Sequence, residues 1–242
     1  MFFDTRYLYI ILAIIVIISI FSGGFSILSL LLTIPGVLIA LTFHEFAHAF
    51  TAYKLGDDTP KYQGRISLNP FSHLDPIGAI MLVFAHIGWG KPVEINPNNF
   101  TRKISARTAE AIVAFAGPLM NFILAFVFAI IFYALQTFAS SFSLGTEVGM
   151  IIMTMLQYTV LVNVGLGVFN LIPLPPLDGS KVLMAFLSYN AKRWFEEHTQ
   201  LFYIIFLIIW ITPISSMIIS PAISAITSGI DSAVGGIFGM FN

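Results

Sequence analysis

The chain has 242 residues, of which 57% are hydrophobic and only 10% charged, with a formal net charge of −1. A soluble domain carries about 25% charged residues, so this composition describes an integral membrane protein with no room for a large extra soluble domain. The near-neutral balance gives no basis for nucleic-acid binding, and the absence of cysteine excludes disulfides, iron–sulfur clusters and thiolate metal sites, so any metal must be held by His, Asp or Glu.

Membrane spans need about 20 apolar residues. A first is expected at Tyr7–Ser22. It lacks a small-x-small cleavage pattern followed by polar sequence, and Gly23-Gly24 leads into another apolar run, so it reads as a retained span and not a signal peptide. A second is expected at Ser26–Tyr53, with Pro35-Gly36 as a candidate kink. Between spans two and three, Tyr62–Leu68 alternates partly in strand fashion and Lys91–Ile95 is a second candidate strand. Ile77–Gly88 between them is apolar but too short to span, and suits a dip into the membrane surface. Asn69-Pro70, Asp75-Pro76 and Asn96-Pro97 mark turns. A third span is expected at Thr108–Thr137, a fourth at Val148–Ile172 and a fifth at Leu201–Ile219. The tail after Pro221, rich in Gly, Ser and Ala, fits either a short sixth span or an interfacial helix. The expected fold is an α-helical polytopic membrane protein with five to six transmembrane helices and a small membrane-associated β or re-entrant region, in a single domain over 1–242.

In this scheme every Lys and Arg falls on one side. Arg6 precedes span one, seven basic residues from Lys54 to Arg107 lie between spans two and three, and Lys181, Lys192 and Arg193 lie between spans four and five. The positive-inside rule makes that side cytoplasmic and places the chain as a multi-pass protein of the cell membrane.

The second span ends in His44-Glu45-Phe46-Ala47-His48. On a helix the two histidines share one face, one turn apart, a spacing that suits two imidazole ligands to one tetrahedral Zn²⁺. The intervening Glu45 is placed to take a proton from an attacking water. Such a pentapeptide arises by chance in roughly one chain of this size in a few hundred. Its setting in a membrane segment, where ionisable groups are expensive, sharpens the functional reading over a patch of satisfied polar residues.

A catalytic zinc takes three protein ligands as a rule. Asp178 is the leading third donor. It follows Pro173-Leu174-Pro175-Pro176-Leu177 and precedes Gly179, a stiff extended stretch where span four ends. Charge counting puts it on the same membrane face as the histidines. The competing reading is an N-cap for the helix Ser180–Leu187. His73 and Asp75 fit either an approach to the metal or a brace for their own loop. Asn121 shares a face with Gly117 on span three, and Asn170 shares one with Asn163 on span four. Asn121 and Asn170 suit either interhelical hydrogen bonding or the holding of a substrate backbone or developing oxyanion beside the metal. Asn163 suits interhelical bonding.

These residues together resemble the site-2 protease family of intramembrane zinc metalloproteases. The resemblance rests on His44-Glu45-Phe46-Ala47-His48, Gly117-Pro118-x-x-Asn121, Phe169-Asn170-Leu171-Ile172-Pro173 and Leu177-Asp178-Gly179, and covers about residues 26–190. The stretches around Gly64–Pro70, His73–Gly78 and Gly88–Val93 are similar to the compact bacterial and archaeal branch without PDZ or CBS domains. The resemblance implies a three-span catalytic core over about 26–190, with the C-terminal helices of about 199–242 outside it. It implies zinc held by His44, His48 and Asp178, Glu45 as proton carrier, and cleavage of peptide bonds in or near the transmembrane segments of other membrane proteins. A transmembrane helix hides its carbonyls in its own hydrogen bonds, so hydrolysis requires local unwinding, and an exposed edge near Tyr62–Leu68 or Lys91–Ile95 could accept the unwound segment as an added strand. The alternative class is a membrane metal transporter or metal sensor using the same His and Asp cluster. That reading leaves Glu45 without a proton to carry.

Overall fold

A computed structural model describes residues 27–75, 78, 90–101 and 104–241. Seven helices organise them. Helix α1 is Ile27–Lys54, α2 Ala106–Phe138, α3 Glu147–Asn170, α4 Asp178–Phe186, α5 Tyr189–Glu197, α6 Thr199–Ile211 and α7 Ile214–Phe238. Local chemistry sets several starts. Ser105 caps α2 by accepting from Thr108 N, Thr146 caps α3 by accepting from Gly149 N, and Ser188 caps α5 by accepting from Ala191 N. Glu147 in the first turn of α3 also complements the helix dipole.

Among the described residues, four segments are long and apolar enough to cross a membrane: Ile27–Lys54, Ala106–Phe138, Glu147–Asn170 and Ser216–Phe241. Along α2, Ile112, Phe115, Leu119, Ile123, Phe126 and Ile130 form an exposed apolar stripe at helical spacing. In water such a stripe would be an aggregation site; on a membrane span it is the lipid-facing surface.

The C-terminal region departs from expectation. The fifth span, expected at Leu201–Ile219, is divided at Thr212-Pro213. Proline removes a backbone donor and clashes with the preceding turn. The first piece, α6, has 13 residues, about 20 Å of helix, short of a hydrocarbon core of about 30 Å. The tail after Pro221 instead continues α7, which has the length and hydropathy of a span. The expected first span at Tyr7–Ser22 lies outside the described residues, as does nearly all of the expected dip at Ile77–Gly88.

Among the described residues no strand forms. Tyr62 closes a one-turn helix and Gly64 takes a positive φ of 68°, which turns the chain where Tyr62–Leu68 was expected to run straight. Lys91–Ile95 carries no ladder, and Pro92 has no N–H to offer one. A single antiparallel bridge joins Leu74 to Gly90. Side chains hold these loops instead. The buried Arg65 donates to the carbonyls of Ser72 and Pro92. The buried Asp57 accepts from Thr59 N and Oγ1, Asn96 N and Asn99 Nδ2.

Helices α1, α2 and α3 pack as a trio. Gly36 of α1 meets Thr159 of α3 so closely that a Cβ would stand 2.8 Å from its Oγ1. Further along α1, Ala40 O and, on α3, Asn163 Oδ1 both accept from Asn121 of α2. Further still, His48 meets Val113 of α2. Thus α1 and α3 run parallel and α2 antiparallel to both. Small residues permit this approach, and buried amides bind the helices where no water is available. Helix α7 packs on α2 and α3, with Ile230 and Val234 against Ala125, Ala129, Val160 and Val164.

Candidate metal centre

The two histidines project from the C-terminal half of α1 and are both buried. Their rings meet edge to face at 4.6 Å. Each ring is fixed through Nδ1. His44 Nδ1 donates to Asn121 Oδ1 at 2.7 Å, and His48 Nδ1 donates to Val113 O at 2.7 Å. These bonds set the tautomer and leave both Nε2 atoms as lone-pair donors. The two Nε2 atoms lie 3.0 Å apart, and each is 3.1 Å from Asp178 Oδ2.

Three lone-pair atoms facing one another at this distance repel unless positive charge sits among them. Bonds of about 2.0–2.1 Å to one tetrahedral ion would separate its donors by about 3.3 Å, close to the triangle observed. The donor set of two neutral imidazoles and a carboxylate suits Zn²⁺, and His44, His48 and Asp178 are the His/Asp/Glu group among the described residues able to hold a metal. Orientation of metal-bound imidazoles by a fixed acceptor on the far nitrogen is the usual supporting arrangement.

Asp178 opens α4, whose N-cap is Leu177 without a side-chain cap bond. Its carboxylate faces the imidazoles instead of the helix end. The Pro-rich turn before α4 delivers it. Gly179 lets this turn close, since a Cβ there would stand 2.5 Å from Ile172 O and nearer still to Leu171 O.

Glu45 is buried beside the triad and lines the same cavity, of about 370 Å³. Gly90, Pro92, Val93 and Ile95 form another wall, with Val113 and Ala114 of α2 and Phe169 and Asn170 of α3 lining the same space. Gly90 keeps space beside the carboxylate: a Cβ there would lie 3.2 Å from Glu45 Oε1 and 3.0 Å from His73 O.

The amides occupy different places. Asn170 is on the cavity wall, its Nδ2 donating to Leu166 O at 3.1 Å. Asn121 is fully buried, accepts from His44, and donates to Ala40 O and to Asn163 Oδ1, both at 3.0 Å. Both amide hydrogens are engaged, which leaves neither for a substrate oxygen. Asn163 extends the chain by donating to Thr159 O. His73 is buried with Nε2 donating to Ser67 O at 2.7 Å, bracing its own loop, and Asp75 Oδ1 accepts from Gly78 N. Val113 O and the cavity residues Glu110 and Lys181 carry no signal in the sequence that marks them.

Residues 32–212 match the family model described as peptidase family M50. "Putative zinc metalloprotease YwhC" of Bacillus subtilis is 34% identical over 193 residues, covering 78% of this chain and 84% of its own length. "Putative zinc metalloprotease Rip2" of Mycolicibacterium smegmatis is 32% identical over 189 residues, covering 76% of this chain and 68% of its own. No solved structure matches the chain. With three quarters of its length matched, the buried His–Glu–His and Asp constellation sits in a chain that belongs to peptidase family M50, the site-2 protease family.

Proposed function

We propose that this membrane protein is a zinc-dependent endopeptidase that hydrolyses peptide bonds within or near the transmembrane segments of other membrane proteins. The observation that carries the reading is the convergence of His44 Nε2, His48 Nε2 and Asp178 Oδ2, with Glu45 on the wall of the same cavity, in a helix apolar enough to span a bilayer. When bound, zinc supplies Lewis acidity that polarises a carbonyl and acidifies water. His44, His48 and Asp178 hold the ion, and Asn121 and Val113 O fix the two rings. Glu45 takes a proton from the attacking water and returns it to the leaving amine. Asn170 faces the cavity and is placed to steady a substrate carbonyl as negative charge develops on it. Asn121 acts through His44 and is a positioning residue. The segment 90–95, which lines the cavity and carries no ladder of its own, is suited to receive an unwound stretch of substrate backbone.

The protein is further proposed to be a multi-pass protein of the cell membrane with the triad toward the cytoplasm. The support is the placement of the described Lys and Arg residues, from Lys54 to Arg193, on the side where α1 ends and α2 begins.

The test is purification in detergent, zinc quantification, and cleavage of a model transmembrane peptide by wild type and Glu45→Gln. Retained zinc with cleavage reduced at least about 10³-fold supports the assignment. Normal turnover by the variant removes Glu45 from the chemistry. Zinc flux through vesicles without cleavage by the wild type would favour a transporter.

A further inference from the structure

A second cavity, of about 380 Å³, lies between α2, α3 and α7. It is remote from the metal triad. Tyr133 on its wall is twenty residues beyond Val113 along α2, about 30 Å of helix toward the other end of the bundle. The wall carries Asp231 and Thr227 from α7, Tyr133 from α2, and Gln157 and Tyr158 from α3. Asp231 lies ten residues inside the end of the candidate span Ser216–Phe241, about 15 Å of helix from that end. It is exposed, and its hydrogen-bond partner among the described residues is Tyr133 Oη at a loose 3.5 Å. Thr227 Oγ1 is buried with no partner among the described residues.

An ionisable group within a candidate span is expensive and persists where something pairs with it. Among the described residues no Lys or Arg lines this cavity. No Lys or Arg occurs from residue 108 to residue 180 or after residue 193. A second copy of this surface brings a second Asp231 and no base. A bare divalent ion is a poor occupant, because it would take six or more oxygens and stay charged against a single carboxylate. The cavity is also far larger than the share of liquid volume of one water, about 30 Å³. A basic side chain fits both the charge and the space, with its alkyl stem on Ala129, Phe132, Val160 and Leu161 and its head on Asp231 and the orphan hydroxyl.

We propose that this cavity docks a transmembrane helix of a partner protein that carries one Lys or Arg level with Asp231. The Lys or Arg contact lies away from the catalytic cavity, and unchanged cleavage by Asp231→Asn is what marks the partner as an accessory subunit and not a substrate. This site stands independently of the proteolytic assignment.

The probe is a labelled 22-residue Leu/Ala transmembrane peptide bearing one central Lys, with Gln and Leu versions as controls. Association with the full-length protein in phosphatidylcholine vesicles is read by energy transfer. The Lys peptide should bind about tenfold more tightly than either control. Asp231→Asn should abolish that preference, Asp231→Glu should retain it, and Asp231→Asn should leave cleavage of the model substrate unchanged. Equal binding of all three peptides, or undiminished preference in Asp231→Asn, overturns the proposal. If Asp231→Asn fails to fold, Thr227→Val serves in its place and should weaken the preference; an unchanged preference counts against the site. A sodium-dependent rise in melting temperature that requires Asp231, with no peptide preference, overturns it in favour of an ion site.

Discussion

Gly117 lies against the imidazole of His48 so tightly that a methyl group at position 117 would stand 2.6 Å from its Cε1, and 2.7 Å from Cε1 of His44. The glycine is thus the floor on which both rings rest. Pro118 follows it inside α2, and neither residue is a helix former. Their presence in the middle of a span is explained by the rings they accommodate.

Gly117→Ala should therefore damage the metal centre more than the fold. Alanine is the better helix former by about 0.8–1.0 kcal/mol, so helix propensity favours the variant. The overlap with two buried rings forces them out of position. Zinc affinity is expected to fall about 100-fold, with helical content by circular dichroism unchanged. A variant that binds zinc like wild type would show that the rings have room to retreat.

Asn121 offers a complementary case, in which a polar group is removed. Asn121→Ala deletes the acceptor of His44 Nδ1–H and orphans Asn163 Oδ1 in a buried setting. Lost second-layer support lowers metal affinity by about 10–100-fold. The unsatisfied buried groups destabilise by about 1–3 kcal/mol. Zinc competition against a chelator and thermal unfolding in detergent read the two effects separately. Asn163→Ala should show the stability loss with a much smaller change in zinc affinity.

The legibility of this site in the sequence follows from the range of the interactions that build it. His44, Glu45 and His48 are close in sequence, and helical geometry alone places both rings on one face. Asp178 was reached through the three-ligand requirement and the stiff proline turn. Interhelical hydrogen bonding is one of two readings the sequence offers for Asn121; its hold on His44 is not legible, because its partners His44, Ala40 and Asn163 lie on two other helices, and only packing reveals that both its hydrogens are engaged. Val113 contributes a backbone carbonyl, which any residue type supplies. The spans α1, α2 and α3 were legible because hydropathy over about 20 residues is a strong signal. The error at Leu201–Ile219 came from reading hydropathy through Pro213, whose effect on the backbone is independent of apolarity. The expected strands failed because alternation was partial and side chains such as Arg65 satisfied the carbonyls that a ladder would use.

Acid should unfold the loop region through Asp57. Burial would raise its pKa, but hydrogen bonds from the Thr59 hydroxyl, Asn96 N, the Asn99 amide and Thr59 N outweigh this and hold it below the ordinary value. A carboxylate with a depressed folded-state pKa contributes stability that is fully present above its unfolded pKa, about 3.9, and is lost as pH falls through the lower folded value. Wild type should therefore lose melting temperature below about pH 4 more steeply than Asp57→Asn. The variant should start from a lower melting temperature at pH 7. Parallel curves for the two proteins would show that Asp57 does not drive the acid transition.

Arg107 should control the placement of Asp178, the proposed third ligand, from a distance. It stands in the first turn of α2, where its Nε donates to Met184 O at 2.8 Å and Nη2 donates to Leu187 O. These carbonyls belong to the end of α4, which lack intrahelical donors. A guanidinium supplies two donors in a fixed fork, and the charge also complements the negative end of the helix dipole. Because Asp178 is the first residue of α4, this clamp fixes the far end of the same short helix. Arg107→Met should loosen α4 while keeping the apolar stem. Zinc affinity is expected to fall about tenfold, and cleavage at limiting zinc to fall with it, while saturating zinc restores most of the turnover. Arg107→Lys should recover only part of the loss, since an ammonium cannot span both carbonyls in the same geometry. Unchanged zinc affinity in Arg107→Met would mean that the proline turn alone holds Asp178 in place.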